Sequence, residues 1–110
     1  MKRSENWPGK AEPRIVCAAN YYKSDIINEE FLIVGPRHYD LTMREQLKYR
    51  YDPDALNDND FKIIQGFIDQ FGDFHDRQEA WKIAKANGQI YRRVCGDDDG
   101  DGTLYSENLY

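Results

Sequence analysis

Short runs of β-forming residues separated by polar turns set the pattern of the first third of the chain. Arg14–Tyr22 is rich in β-formers, and Phe31–Val34 is continuously apolar and bounded by Gly35-Pro36. With the loop Lys23–Glu30 between them, the two segments are predicted to pair as antiparallel strands. The second is predicted to be central enough to be buried on both faces.

A β-hairpin is predicted further along, where two short segments flank a turn with a glycine. Phe61–Ile64 leads into it, and Gly66–Asp69 and Asp73–His75 lie on either side of Gln70-Phe71-Gly72. After the next helix, Gln89–Val94 alternates enough to predict another strand.

Two helices are predicted, each preceded by an aspartate that can act as N-cap. Asp40 precedes Leu41–Tyr49, and Asp76 precedes a helix that ends at Asn87-Gly88. Glu79, three residues after Asp76, completes a capping-box pattern in which the two side chains satisfy helix-start N–H groups reciprocally. The apolar face of this second helix comprises Ala80, Trp81, Ile83 and Ala84.

The order of these elements is ββα-loop-ββα-β, with polar residues in the loop from Tyr51 to Asp60. It predicts an α+β fold, a small antiparallel β-sheet with two main helices packed on one side. We expect a flexible N-terminal arm over residues 1–12 and a single domain over residues 13–110.

The charge balance and the absence of long apolar runs exclude some functions. Twenty acidic and 15 basic residues give a net charge of −5, and scattered basic residues argue against non-specific nucleic-acid binding. No apolar run approaches the roughly 20 residues needed to span a bilayer, and the N-terminus has no secretory h-region. We therefore expect a cytoplasmic protein that does not bind membranes, with Cys17 and Cys95 as reduced thiols.

Several motifs resemble a family of small uncharacterised proteins from tailed bacteriophages and prophages. They are Cys17–Ala19, Gly35–Asp40, Gly66-Phe67, Asp76–Ala84, Asn87–Ile90 and Leu104–Tyr110. Relative to that pattern, residues 50–64 look like an insertion. The resemblance implies a phage-encoded protein in the bacterial host cytoplasm, and it implies no activity that can be named.

The segment Gly35–Asp40 is the candidate binding site for an anion. It joins a strand to a helix start, where free backbone N–H groups and the helix dipole favour negative charge. Arg37 could bind a phosphate or carboxylate with its planar fork, His38 could donate or transfer a proton, and Tyr39 is a candidate contact. Candidate hydrogen-bonding residues of such a pocket are Gln89 and Ser106. In the alternative interpretation, Arg37 pairs with a carboxylate and His38 bonds within its own loop.

The acidic segment near the C-terminus resembles a calcium loop. Asp97, Asp99 and Asp101 take positions 1, 3 and 5, and Gly102 takes position 6. Asn108 stands where a bidentate glutamate belongs, so a solvated surface turn is the preferred interpretation and calcium the alternative. No other cofactor is expected.

The preferred function is therefore non-catalytic binding of a small anionic or nucleotide-like ligand, of a kind that could interfere with a host pathway. The alternative is a host-protein interaction module without a small ligand. An enzyme using His38 or His75 comes last, because neither histidine has a recognisable catalytic counterpart in the sequence.

Overall fold

The computed structural model describes residues 12–50, 60–97 and 102–109. The predictions for residues 1–11, for most of the polar loop (51–59), and for Asp99 and Asp101 lie outside these ranges. The strands are β1 (Ile15–Ser24), β2 (Glu29–Gly35), β3 (Lys62–Asp69) and β4 (Phe74–Asp76). The helices are α1 (Leu41–Leu47) and α2 (Arg77–Ala86), and a 3-10 turn covers Ser106–Asn108.

The four strands form one antiparallel sheet in the order β2-β1-β3-β4. Both helices contribute to a single core on one face of this sheet, since Met43 of α1 and Trp81 of α2 belong to the same buried cluster as Tyr22 and Phe67. The α+β prediction, with helices on one side, is confirmed. The predicted pairing of the first two strands and the predicted hairpin are confirmed as well.

The opposite face of the sheet carries apolar residues that belong neither to the core cluster nor to the partly buried residues packed against it. Strand alternation and pairing register place the following partly exposed side chains there: Cys17, Tyr21, Leu32, Val34, Ile64, Ile68 and Phe74. We call this surface the open face. Residues of the same strands on the helix side, such as Ala18, Ile33 and Phe67, are at most 1% exposed.

The prediction that Phe31–Val34 is a central strand is wrong. This segment lies in β2, which is an edge strand of the sheet. Its run of apolar residues arises because Phe31 and Ile33 enter the core while Leu32 and Val34 lie on the open face. The segment is therefore apolar on both faces, but only the face toward the core is buried.

The predicted strand at Gln89–Val94 is also wrong, because this segment adopts no strand. The backbone N–H groups of Tyr91 and Arg92 donate to the carbonyl of Asn108, at 2.7 and 3.2 Å. The Asn108 side chain in turn donates to the Arg92 carbonyl at 2.9 Å. The segment is thus bonded to the C-terminal turn instead of to a neighbouring strand.

Three glutamine side chains complete the backbone pairing at the margins of the sheet. Gln46 of α1 accepts from the N–H of Val34 at 3.0 Å and donates to its carbonyl at 2.5 Å. Gln89 forms the same two-bond arrangement with Ile15, at 2.9 and 2.8 Å. Gln70 accepts from the N–H of Arg14 and donates to the Glu12 carbonyl, both at 2.7 Å. Each amide satisfies backbone groups as a neighbouring strand would.

The predicted helix starts are confirmed, although α1 ends at Leu47 instead of Tyr49. The Asp40 carboxylate accepts from the N–H of Met43 at 3.0 Å, and the Asp76 carboxylate accepts from the N–H of Glu79 at 2.8 Å. The Glu79 side chain, however, bonds to the ring of His75. Asp76 is therefore the N-cap of α2, and the Glu79 side chain is bonded to His75 on the preceding strand.

We expect Asp76→Ala to lower the free energy of unfolding by about 1 kcal/mol, because the N–H of Glu79 loses its acceptor. Urea denaturation followed by circular dichroism measures this change. Asp76→Ser keeps an acceptor at the cap and is expected to lose only part of that stability. Equal denaturation midpoints for wild type and Asp76→Ala would contradict the assignment of the cap.

Candidate functional site

The loop between β2 and α1 is held in a fixed conformation by the carboxylate of Asp40. This carboxylate accepts from the N–H of Arg37 at 3.2 Å as well as from Met43. Tyr39, between them, has a left-handed backbone with φ of 58°, and its N–H points to the sulfur of Met43 at 3.1 Å. Such a conformation is unfavourable for a tyrosine and persists only when surrounding contacts hold it, as is common at binding sites.

His38 is held between the sheet and α2. Its Nε2 lies 2.7 Å from the carbonyl of Gly66, and its Nδ1 lies 3.2 Å from the guanidinium of Arg77. A carbonyl requires a donor and a guanidinium requires an acceptor, so this ring is the neutral tautomer with its proton on Nε2. Burial, and then the charge of Arg77, lower the pKa of His38, while the bond to Gly66 acts against this.

Arg77, the first residue of α2, contributes a second guanidinium to this region. Its guanidinium lies over the ring of Tyr105, 5.0 Å from the ring centre. Its Nε is buried and has no hydrogen-bond partner among the described residues. Burial lowers the pKa of Arg77, whereas the nearby Tyr105, Glu107 and Tyr39 raise it. An arginine remains charged at neutral pH even so.

Arg37 approaches the same region from the other side. Its guanidinium lies 3.9 Å from the carboxylate of Glu107, with side-chain exposures of 40% and 56%. An ion pair this long and exposed contributes little to stability. Arg37, His38, Tyr39, Arg77 and Tyr105 thus surround one part of the surface, which we call the arginine cluster.

The other two predicted ligand-binding residues have different surroundings. Ser106 is buried and begins the 3-10 turn between Tyr105 and Glu107, so it lies beside the cluster along the chain. Both polar atoms of the Gln89 amide are bonded to the backbone of Ile15. Gln89 thus supports β1 through the groups that would have contacted a ligand.

Arg77 and Tyr105 were not among the predicted site residues. Arg77 follows an N-cap in sequence and has no local signal of function, because it meets His38 and Tyr105 only through the fold. Tyr105 was one of many aromatic residues in the sequence, and nothing in the sequence set it apart from the others. The useful signal would have been the position of Arg77 at a helix N-terminus. A positive charge is unfavourable there because of the helix dipole, so an arginine at this position suggests a role other than helix stability.

Asp97, proposed as the first calcium ligand, has its carboxylate engaged by protein donors. It accepts from the Arg93 guanidinium at 2.8 and 2.9 Å, from the N–H of Val94 at 2.8 Å and from Asn108 at 3.0 Å. The hydrogen bonds from Arg93 hold the pKa of Asp97 well below its usual range. Within residues 12–50, 60–97 and 102–109, no three His, Cys, Asp or Glu side chains could hold a metal together.

His75, the other histidine, belongs to a buried network. Its ring bonds to Asp69 at 2.8 Å and to Glu79 on the opposite side, and its residue is only 4% exposed. The second oxygen of Asp69 accepts from the N–H groups of Phe71 and Asp73, at 2.9 and 3.0 Å. These hydrogen bonds connect the β3–β4 turn, through Asp69 and His75, to Glu79 of α2.

A family model described as the Phage T4 y16D protein matches residues 14–110. The chain belongs to this family. The match confirms the resemblance to a small uncharacterised phage family and begins at Arg14, one residue before β1. It spans the whole arginine cluster of this y16D-family protein. No curated protein and no solved structure gives a significant match. No helix in the described part of the y16D-family chain has the length and apolarity to cross a membrane.

Proposed function

We propose that this protein binds a small anionic, nucleotide-like ligand at the arginine cluster and does not catalyse a reaction on it. The observation that carries the proposal is that two guanidinium groups, of Arg37 and Arg77, act on the exposed carboxylate of Glu107. A ligand phosphate or carboxylate that displaces this carboxylate would interact with both. Arginine forks are suited to such oxyanions because they donate two parallel hydrogen bonds.

The nucleotide-like part of the proposal depends on the aromatic rings beside the guanidinium groups. Tyr39 is 40% exposed, and Tyr105 already stacks with Arg77. Rings and guanidinium planes of this kind offer stacking surfaces for a base or sugar. Such a ligand would gain apolar contact from the rings and charge neutralisation from the arginines.

The state of His38 supports binding over catalysis. Both of its ring nitrogens are engaged, one by Gly66 and the other by Arg77. A general acid or base must instead be able to exchange a proton with the substrate. In this proposal His38 positions the guanidinium of Arg77 and does not react.

The test is a thermal-shift screen with nucleotides, cyclic nucleotides and sugar phosphates, followed by calorimetric titration of any hit. We expect Arg37→Lys to weaken binding, because lysine keeps the charge but loses the planar fork. We expect its free energy of unfolding to stay within about 0.5 kcal/mol of wild type, as for most surface changes.

Arg44→Lys, a matched exchange in α1 outside the arginine cluster, is the control and should bind like wild type. Glu107→Gln removes the competing carboxylate and should strengthen binding. If Arg37→Lys unfolds more easily and binding is unchanged, Arg37 has a structural role. If no anionic ligand shifts the wild type, the small-ligand proposal fails.

A host-protein interaction module is the second candidate. Tyr49 and Tyr91 are 90% and 75% exposed, and exposed aromatic residues are enriched at protein interfaces. A phage protein of this kind, in the host cytoplasm, would interfere with a host pathway by occupying a host protein. Affinity purification from infected cells with wild type and a Tyr49→Ala/Tyr91→Ala variant tests it, since the double variant should lose the captured protein.

A further inference from the structure

His38 and Arg77 form a contact that requires a neutral histidine ring. The Nδ1 atom accepts a hydrogen bond from the guanidinium of Arg77 at 3.2 Å, and Nε2 donates to the Gly66 carbonyl at 2.7 Å. A second proton on the ring would have to sit on Nδ1, where it would abolish this acceptor. It would also place the positive charges of the ring and of Arg77 side by side. The protein without a ligand therefore disfavours the imidazolium form of His38.

The groups that face His38 come from the sheet, from α2, from the C-terminal turn and from its own loop. They are the backbone of Ala19 and Gly66, the ring of Phe67, the guanidinium of Arg77 and the carboxylate of Glu107, with Arg37, Tyr39 and Asp40 in its own loop. The Asp40 carboxylate is bonded to backbone N–H groups. Two charges act on the ring in opposite directions, since Arg77 disfavours a second proton and Glu107 favours one.

The pKa of His38 follows from the same groups. Burial lowers this pKa below the ordinary value of 6.5 and Arg77 lowers it further, whereas the bond to Gly66 and the charge of Glu107 raise it. Glu107 also raises the pKa of Arg77. An oxyanion held by the two guanidinium groups would act on His38 in the same direction as Glu107, and a doubly charged oxyanion would act more strongly. Anion binding and protonation of His38 therefore favour each other.

We propose that His38 takes up one proton from the solvent when the arginine cluster binds an anion, so that the affinity for the anion increases in acid. This inference rests on the binding function proposed above and adds its regulation by pH. In the complex, the guanidinium of Arg77 turns from Nδ1 to the anion, and the protonated Nδ1 becomes a further donor to the same anion. The ligand itself is not changed. His38 thus positions Arg77 in the free protein and adds a positive charge in the complex.

The direction of the pH dependence follows from linkage. The free protein has the lower pKa at His38 and the complex has the higher one, so the complex binds more protons between these two values. The affinity is therefore constant above the higher pKa, rises as the pH falls through the interval, and is constant again below the lower pKa. An opposite charge within about 4–6 Å changes a protonation equilibrium by about tenfold or more, so we expect a gain in affinity of at least about tenfold.

The test uses sulfate and cyclic AMP, whose own charges stay constant between about pH 8 and pH 5, where a histidine titrates. Binding is followed by NMR titration of the ¹⁵N-labelled protein at constant ionic strength. We expect both probes to bind wild type at least about tenfold more tightly at the lower pH. The chain has two histidines, and the His38→Gln variant assigns their ring signals. At a pH where the His38 ring of the free protein is neutral, saturation with sulfate should convert it to the imidazolium form.

Two variants locate the proton. His38→Gln offers a donor and an acceptor but does not titrate, so it should bind both probes without the gain in acid. Glu107→Gln removes the competing carboxylate as a source of pH dependence and should keep the gain. A gain of equal size in His38→Gln would overturn the proposal. Thermal melts show whether each variant is folded, and the ring signals of wild type decide the question without any variant.

The remaining outcomes separate this inference from the binding function on which it rests. If both probes bind wild type equally well at the two pH values and the His38 ring stays neutral in the complex, anion binding stands and the proton linkage is wrong. If neither probe binds at any pH in this range, the binding function fails and the linkage fails with it.

Discussion

Gly102→Ala is expected to lower the free energy of unfolding by about 3 kcal/mol, from overpacking together with backbone strain. Gly102 has φ of 102°, and a Cβ there would lie 2.0 Å from the ring of Trp81. That ring is buried in the core, 6% exposed, so it has little space to move aside. Urea denaturation followed by tryptophan fluorescence measures the loss.

The matched control for this substitution is Gly88→Ala. Gly88 also has a left-handed backbone, with φ of 67°, but a Cβ there meets nothing within 4 Å. Gly88→Ala should lower the free energy of unfolding only by the cost of a left-handed backbone at alanine, about 1 kcal/mol. The difference between the two variants isolates the contact with Trp81, and equal losses would show that Trp81 yields to the added methyl.

Asp69→Ala is the other substitution with a large expected effect, also about 3 kcal/mol. The carboxylate is 3% exposed and accepts hydrogen bonds from two backbone N–H groups and the His75 ring. Alanine leaves these groups buried beside a void. Chemical denaturation gives the loss of stability, and hydrogen exchange at the amide groups of Phe71 and Asp73 shows whether the turn opens.

Asp69→Asn separates the two roles of this carboxylate. The asparagine keeps a side-chain oxygen for the turn but removes the negative charge beside His75, so we expect an intermediate stability. If Asp69→Asn is as unstable as Asp69→Ala, the negative charge beside His75 accounts for most of the stability that Asp69 contributes. If Asp69→Ala is as stable as wild type, the network contributes nothing to stability.

The parts of the fold predicted best from the sequence are those decided by neighbouring residues. Asp40 and Asp76 are helix caps because their carboxylates reach N–H groups only three residues ahead. The alternation at Gln89–Val94 was a weaker guide, since a strand also needs an adjacent strand. Here Asn108, a residue distant in sequence, takes those bonds instead.

The arginine cluster was predicted only in the part that one loop supplies. Arg37, His38 and Tyr39 are consecutive, so their chemistry could be recognised together. Arg77 is 39 residues from His38, and its bond to that ring exists only because α2 begins where β4 ends. No periodicity or spacing in the sequence encodes that contact.

The side-chain amide of Gln46, in α1, protects the free edge of β2 against pairing with another molecule. By occupying both backbone groups of Val34, it blocks a strand from another molecule at that point of the sheet edge. When β4 of one molecule adds to β2 of the next, edge-to-edge addition has no natural end, because each added sheet exposes another edge, and it leads to fibres. A single side chain from α1 thus disfavours open-ended assembly at this edge of the sheet.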